Sequence, residues 1–488
     1  NLNKFIDFHN LDSRSYDPVM MLTIILMAFA EDGYASLRKL EKLCRYDIRY
    51  RSITNGCVPS YKSFERFINH TLKESIQTIA KEIYLYVQDE KALEEQILYI
   101  DGTKFEANAN KMTFCWKGWS KRYLPRHWQK CMELLKQVNR YFKKHEININ
   151  YSILKYPNIE YMIKIDEALE NWLKEKEYIR KGRGKHEIAK LCDELKKSAV
   201  KMWEYAIQED ILEDRNSFSK TDPDATFMHM KYDYYNHTNV FKPGYNVQIG
   251  VNNGYIAYQY LSSDPNDIKT LQPFTEGYKE LYGKYPDIEV TDAGYGSYDN
   301  YCYCKSKGIK GLLKYSGYEK KKEKVNDKNR YQLRHMERQE DGTPVCPAGH
   351  VFEIERIGLN IKGQYPKTTM YYRNKNCGEC PHRSKCTTSK NGRSARIVPA
   401  LEKMHKEIDE CLKSEEGKRL MRNRSAQAEG AFADIKQDFE YVRLHRRGES
   451  GVKVELSLVC IGYNIRKYHN YKIRDKKREK QRNVSKLN

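Results

Sequence analysis

The chain has 488 residues, long enough for about two to four domains, and its 87 lysines and arginines against 66 acids give a formal net charge of +21. An excess of this size indicates a polyanionic partner, most simply nucleic acid. The longest apolar run, residues 19–30, is roughly half a membrane span and follows no signal-peptide pattern, so we expect a cytoplasmic protein with no membrane partner. The thirteen cysteines are expected to be mostly reduced.

Residues 1–95 have the pattern of an all-helical domain. Asp17-Pro18 is a good start for an apolar helix, and Ser36 and Ser60 begin two more. Short helices with exposed basic residues such as Lys62 and Arg66 are compatible with a DNA-binding helix-turn-helix, and a packing or dimerising domain is an equal alternative. The chain begins at Asn1 without a methionine, which leaves open whether residues precede it.

A short apolar strand at residues 97–100 ends on Asp101, and residues 96–112 are assigned to the first strand of a catalytic core. Residues 113–221 then form a charged insert in which apolar residues recur at helical spacing. This pattern predicts an antiparallel helical hairpin.

Residues 222–316 alternate strands and helices, and residues 401–470 supply the last helices of the core. Together with the first strand, this order is that of a ribonuclease-H-like α/β fold with a mixed sheet, interrupted by two inserts. The predicted elements are strands 245–251 and 255–261, a helix to about residue 282, strand 288–291, helix 298–307 and strand 311–315.

Three acidic residues stand out along this core. Asp101 and Asp292 each end an apolar strand, and Glu429 lies on a predicted helix. Two strand-end aspartates and a helical glutamate can hold two Mg²⁺ or Mn²⁺ ions for phosphoryl transfer. Each acid alone would more often be a turn or capping residue, and their combination in this order favours a site. Asp222 and Asp224 are rivals, but no apolar strand precedes them, so a loop cap is the better interpretation.

Cationic and aromatic residues flank these acids. Arg422 and Lys436 lie seven residues before and after Glu429, on one helix face, where they would bind DNA phosphates or form an ordinary salt-bridged surface. Tyr295 either orients a phosphate or packs.

Residues 317–400 form the second insert and contain Cys346, Cys377, Cys380 and Cys386. A Cys-x2-Cys pair supplies two ligands of a structural zinc site, and free thiols are the equal alternative. The tail, residues 471–488, is basic and expected to be disordered without DNA.

Several motifs in the same order resemble those of bacterial insertion-sequence DDE transposases, and most closely those of group eleven-eighty-two. The resemblance extends over nearly the whole chain. The motifs are Tyr99-Ile100-Asp101-Gly102-Thr103-Lys104, Lys242-Pro243-Gly244-Tyr245-Asn246-Val247-Gln248, Thr291-Asp292-Ala293-Gly294-Tyr295 and Gln427-Ala428-Glu429-Gly430-Ala431-Phe432 with Lys436.

This resemblance implies a Mg²⁺-dependent recombinase of the bacterial cytoplasm and nucleoid, with Asp101, Asp292 and Glu429 as metal ligands. It would bind double-stranded DNA at the element's inverted repeats, cut the ends and join them to target DNA, as a homodimer in the synaptic complex. Related transposases often place an arginine four residues before the glutamate, where this chain has Ser425, so Arg424 is one of the nearest substitutes. A nuclease of the same fold and an inactive DNA-binding regulator remain alternatives.

Overall fold

The computed structural model describes residues 16–90, 97–178, 185–230 and 240–484, without the side chains of residues 478–484. The chain divides into two compact units. The first comprises Asn1–Phe105, Asn246–Arg446 and Ser450–Asn488, and the second comprises Glu106–Tyr245 and Arg447–Glu449. The protein is mixed α/β with a helical N-terminal region and several sheets, as the sequence predicts.

The described residues form helices of very different lengths. They are α1 (Pro18–Asp32), α2 (Leu37–Tyr46), α3 (Ile48–Ile53), α4 (Tyr61–Arg66), α5 (Ile76–Glu90), α6 (Lys117–Lys144), α7 (Ile159–Glu175), α8 (Glu187–Leu212), α9 (Leu271–Tyr282), α10 (Tyr298–Ser306), α11 (Tyr318–Lys322), α12 (Arg383–Cys386), α13 (Pro399–Lys413), α14 (Glu415–Arg424), α15 (Gly430–Ala433) and α16 (Glu449–Val484).

The strands are shorter on average than the helices. They are β1 (Ile97–Glu106), β2 (Phe114–Trp116), β3 (Ser217–Ser219), β4 (Thr226–His229), β5 (Phe241–Asn252), β6 (Tyr255–Ser262), β7 (Ile288–Gly296), β8 (Lys310–Tyr315), β9 (Glu337–Arg338), β10 (Pro344–Val345), β11 (Glu353–Asn360), β12 (Lys367–Asn374) and β13 (Arg393–Ile397).

The predicted starts of three N-terminal helices are confirmed. The carboxylate of Asp17 accepts hydrogen bonds from the amides of Val19 and Met20 at 3.1 Å each, and Ser36 and Ser60 cap α2 and α4. These caps satisfy amides that a helix leaves without an internal partner. Helices α3 and α5 have no counterpart among the helices predicted from the sequence.

The main sheet of the first unit has the strand order β6-β5-β1-β7-β8. Strands β1, β7 and β8 run parallel, and β5 and β6 form an antiparallel hairpin. The two predicted strands, 245–251 and 255–261, are joined by a tight turn at Asn253 and Gly254, whose φ of 52° and 82° are the left-handed values that a two-residue hairpin turn requires. The first residues of β5 belong to the second unit, where they pair with β4.

The second unit contains the predicted helical insert, with one helix more than expected. The apolar faces of α7 and α8 are those predicted, and α6 adds a 28-residue helix that packs along α8. Their shared core includes Leu135, Phe142, Ile165, Leu169 and Leu195. Residues 179–184, in the predicted turn between α7 and α8, lie outside the described residues.

The second predicted insert contains a three-stranded antiparallel sheet, β11-β12-β13. The apolar cluster beside this sheet has four buried side chains, Met336, Phe352, Tyr372 and Ile397.

The expected disorder of the basic tail is wrong for residues 471–484, which continue α16. A helix already buried over residues 452–464 extends into the tail, and Lys472 pairs with Glu90 at 2.7 Å. Residues 485–488 lie outside the described residues. Within the described ranges no single helix is long and apolar enough to cross a membrane. The pair α1 and α2, bent by 102°, passes that test together on length and composition alone.

Candidate active site

Asp101 and Asp292 occupy equivalent positions on neighbouring parallel strands. The last paired residues of β1 and β7 are Tyr99 and Val290, and each aspartate lies two residues farther along its strand. Both strands continue past the aspartates, so the prediction that the strands end there is wrong. The regular pairing of β1 with β7 nevertheless stops before them, and the pairing of β7 with β8 shifts register between Thr291 and Gly296. The carboxylates therefore leave the sheet at the same edge.

Glu429 reaches this edge from a π-helical turn, Ser425–Glu429, which follows α14. In a π-helix the hydrogen bonds join residues five apart, so Arg424 and Glu429 lie on the same side of the turn. In an α-helix five residues would place them about 140° apart. Such π-helical insertions are frequent at functional sites.

The side chain of Arg424 joins all three acids. Its Nη2 atom lies 2.8 Å from Asp101 Oδ1 and 3.9 Å from Asp292 Oδ2, and its Nη1 atom lies 3.1 Å from Glu429 Oε1. Arg424 is 8% exposed and Asp101 15%, whereas Asp292 is 43% and Glu429 54% exposed. The structure thus gathers the three predicted acids around one cation.

Asp101 has an unusual protonation equilibrium. Burial raises its pKa to about 6, against the lowering effect of Arg424 and with a further rise from the charge of Asp292. Neighbouring carboxylates that share a poorly hydrated position destabilise each other's ionised forms. A cation placed between them relieves that repulsion.

A fourth carboxylate, Asp267, lies beside Asp292 and is not among the acids that the sequence predicts for the site. A methyl group built on Gly294 would be 3.0 Å from Asp292 Oδ1 and 3.4 Å from Asp267 Oδ2. Asp267 Oδ1 accepts hydrogen bonds from Asn246 Nδ2 at 2.7 Å and from Gln248 Nε2 at 3.1 Å. No apolar strand immediately precedes Asp267, so the strand-end pattern gave no signal for it.

Tyr295 and Lys436 are candidate DNA contacts from the sequence, each with a structural role as the alternative. In the structure Tyr295 is buried and Lys436 is half-buried. The hydroxyl of Tyr295 donates to Gln248 Oε1, and the ring is 1% exposed. Lys436 Nζ donates to Thr103 Oγ1 at 2.7 Å and lies 4.6 Å from the ring centroid of Phe105. Both side chains therefore support the strands on which the acids lie.

The other predicted DNA-binding residues lie at the surface. Arg422 is exposed on α14, and Lys62 and Arg66 are exposed on α4. The rival acids act within the second unit, where Asp222 Oδ1 accepts a hydrogen bond from the hydroxyl of Tyr245 and Asp224 caps the amide of Glu449. This is the loop-cap role expected for them.

The four insert cysteines line one cavity of the first unit. Within the described residues, however, no group of three or more His, Cys, Asp or Glu side chains is arranged to hold a metal ion. This applies to the acids around Arg424 as well as to the thiols.

Two family models match the chain. One, described as Transposase DDE domain, matches residues 345–469, and the other, described as Transposase domain (DUF772), matches residues 2–70. The resemblance to insertion-sequence DDE transposases is confirmed. Transposase families act in DNA transposition, and DDE domains generally use divalent metal ions. No curated protein and no solved structure matches the chain.

The matched ranges include part of the candidate site. Arg424 and Glu429 lie inside the DDE match, and Lys62 and Arg66 lie inside the N-terminal match. Asp101 and Asp292 lie outside both ranges, and their place in the site rests on the geometry of the sheet.

Proposed function

We propose that this chain cuts DNA at the ends of a mobile element and joins those ends to target DNA, with Asp101, Asp292 and Glu429 as its metal ligands. The observation that supports this most directly is the convergence of these acids, from three distant segments, on Arg424. Group eleven-eighty-two remains our prediction for the finer relationship.

The strand order favours a ribonuclease-H-like core. Along the chain, the strands of the main sheet come in the order β1, β5, β6, β7 and β8. Across the sheet they lie in the order β6-β5-β1-β7-β8, which is third, second, first, fourth and fifth. The first and fourth strands are central, parallel and adjacent, and they bear the two aspartates. This is the arrangement expected from the element order of the sequence.

The donor set fits magnesium or manganese. Mg²⁺ prefers hard oxygen ligands and few protein carboxylates, and the three acids supply only carboxylate oxygens. The guanidinium of Arg424 now provides the positive charge at this position, so it must move aside when ions bind. When bound, two such ions activate a water or a 3′-hydroxyl and stabilise the leaving oxygen.

The cations of the chain have separate roles in this proposal. In the related signature the arginine lies four residues before the glutamate. Arg424 lies five residues before Glu429, and the π-helical turn compensates for the extra residue by bringing the two side chains together. Arg424 is therefore our candidate for the phosphate-binding arginine, since a guanidinium released by the acids can bind phosphate oxygens through two hydrogen bonds. Lys436 fixes β1 beside Asp101.

DNA binding would use the exposed basic residues together with the +21 net charge. Lys62 and Arg66 on α4 are candidates for contacts to the inverted repeats, and Arg422 for a phosphate near the acids. Synapsis of the two element ends calls for at least a homodimer.

The test is divalent-metal-dependent cleavage and joining of a labelled duplex that bears the element end. Wild type, Asp292→Asn and Glu429→Gln are compared, with Glu415→Gln as control because Glu415 is exposed on α14 and pairs only locally with Lys418. We expect wild type and the control to cut and join, and both site variants to bind DNA with cleavage reduced by at least about 10³-fold.

Each other outcome selects an alternative. Cleavage without joining would favour a nuclease of the same fold. Binding of end DNA by all four proteins, with no reaction under Mg²⁺ or Mn²⁺, would favour an inactive regulator. Full activity of Asp292→Asn would show that the metal site lies elsewhere.

A further inference from the structure

The cysteine-containing insert holds a small cavity lined by all four of its thiols. Its volume is about 20 Å³, which is far too small for an organic ligand. We propose that Cys346, Cys377, Cys380 and Cys386 bind one zinc ion that folds this insert.

The turn around Cys346 is already shaped to hold a thiolate. Gly349 has φ of 81°, and its amide donates to the carbonyl of Cys346 at 2.8 Å. This tight turn directs the next amide, that of His350, at Cys346 Sγ, 3.4 Å away. An amide that points at sulfur stabilises the negative charge of a thiolate, which is the form that binds zinc.

The second pair of ligands has similar support. The amide of Arg393 lies 3.4 Å from Cys377 Sγ, and Cys380 follows after two residues, the spacing typical of zinc-binding turns. The chain passes close to this turn at Gly392, which has φ of 86°. A side chain at position 392 would collide with the carbonyl oxygen of Asn374, so this close approach requires glycine.

Cys386 lies at the end of α12 and completes the set. The guanidinium of Arg393 bonds to its carbonyl oxygen at 3.0 Å, so the same residue contacts the segments of Cys377 and Cys386.

The insert has a physical need for such an ion. Its cluster of four buried side chains is small for a sheet of three strands, and Ile357 and Leu359 on β11 are 62% and 68% exposed. Small modules that cannot bury enough apolar surface are commonly stabilised by a metal or by disulfides. None of the four cysteines forms a disulfide in the structure.

The site must close when zinc enters. Among the described residues no three of these groups are yet arranged to share an ion, so the four thiols must come closer together when zinc binds. Four thiols release their protons to solvent and bind as thiolates, with no redox step. His350 also lines the cavity, and its buried Nδ1 has no hydrogen-bond partner among the described residues, so it is the alternative fourth ligand.

The experiment measures zinc in the full-length protein after exchange into metal-free buffer. We expect about one zinc per chain for wild type and for Cys411→Ser, a control thiol on α13. Cys346→Ser and Cys380→Ser should each lose at least about nine-tenths of the zinc. Cobalt-loaded wild type should show the intense visible absorption of a tetrahedral thiolate site. If Cys386→Ser retains cobalt and His350→Ala loses it, the fourth ligand is His350 and not Cys386.

A second measurement covers variants that fail to fold. Zinc-loaded wild type should protect four thiols from a thiol reagent, and a chelator should expose them and lower the melting temperature. Asp292→Asn should retain zinc fully, which separates this site from the proposed catalytic acids. Wild type without zinc and without a cobalt–thiolate spectrum, or cysteine variants with as much zinc as wild type, would overturn the proposal.

Discussion

The guanidinium of Arg424 links Asp101 to Glu429, with its two Nη atoms 2.8 Å and 3.1 Å from the respective carboxylate oxygens. Its Nε atom is buried and bonded to no described residue. The arginine is therefore held by the acids, and the acids are held together by the arginine. Removing one partner of a buried ion pair leaves an uncompensated charge, which is costly.

The first prediction concerns this charge balance. Arg424→Gln should lower the free energy of unfolding by about 3 kcal/mol in metal-free buffer, because the acids then repel each other without a cation. Saturating Mg²⁺ should remove most of that loss, since the ions take over the compensation. Urea denaturation with and without Mg²⁺ measures both quantities.

The matched control is Arg422→Gln, an exposed position on the same helix. It should change stability by less than about 0.5 kcal/mol in either buffer. An equal loss for Arg424→Gln with and without Mg²⁺ would show that the arginine does not occupy the place of a metal ion.

The sequence reveals the two aspartates because each follows an apolar run and is followed within two residues by a glycine. It cannot reveal their shared register, since that depends on which residues of β1 and β7 pair. Asp267 approaches Asp292 only through the tertiary fold. The role of Arg424 was similarly hidden, because the face predicted for Arg422, Glu429 and Lys436 assumed an unbroken α-helix and the π-helical turn changes the spacing.

The second prediction concerns the close packing of Gly102, which follows Asp101, against the side chain of Gln248. A methyl group at Gly102 would lie 2.4 Å from Gln248 Nε2. Gln248 is fully buried and bonded to Tyr295, Asn246 and Asp267, so it cannot move aside without breaking those bonds. Gly102→Ala should therefore lower the free energy of unfolding by about 1–3 kcal/mol in urea denaturation.

Two further variants test the cause of that loss. Gly430→Ala meets no atom within 4 Å and should stabilise its helix by up to about 1 kcal/mol. Adding Gln248→Ala to Gly102→Ala should cost less than the sum of the single changes, because the clash disappears. Strict additivity would mean that the glycine is needed for another reason.

The third prediction concerns the packing of α1 on α16. A methyl group at Gly462 would lie 2.5 Å from the carbonyl oxygen of Phe29, and a backbone atom inside a helix cannot yield as a side chain can. Gly462→Ala should cost about 1–3 kcal/mol of unfolding free energy and increase amide hydrogen exchange in α1. Gly451→Ala, in the same helix with its nearest neighbour at 3.6 Å, should do neither. Unchanged exchange in α1 would contradict the predicted contact.

The last prediction is a pH dependence set by Glu289, which is completely buried on β7. Burial raises its pKa from 4.5 to about 7, although the hydroxyl of Thr275 donates a 2.6 Å hydrogen bond that favours the ionised form. Between these two pH values the native state holds a proton that the unfolded state has released. The free energy of unfolding therefore falls as the pH rises through this window, by up to about 3 kcal/mol, and the loss persists above it.

Glu289→Gln does not titrate and retains an acceptor for Thr275. Its stability should match wild type within about 1 kcal/mol at pH 5 and exceed it at pH 8, as measured by urea denaturation at both values. Thr275→Val removes the hydrogen bond to the ionised form and should extend the pH-dependent window upwards. Parallel stability profiles for wild type and Glu289→Gln would show that Glu289 ionises at the same pH in the folded and unfolded chains, against the effect expected from its burial.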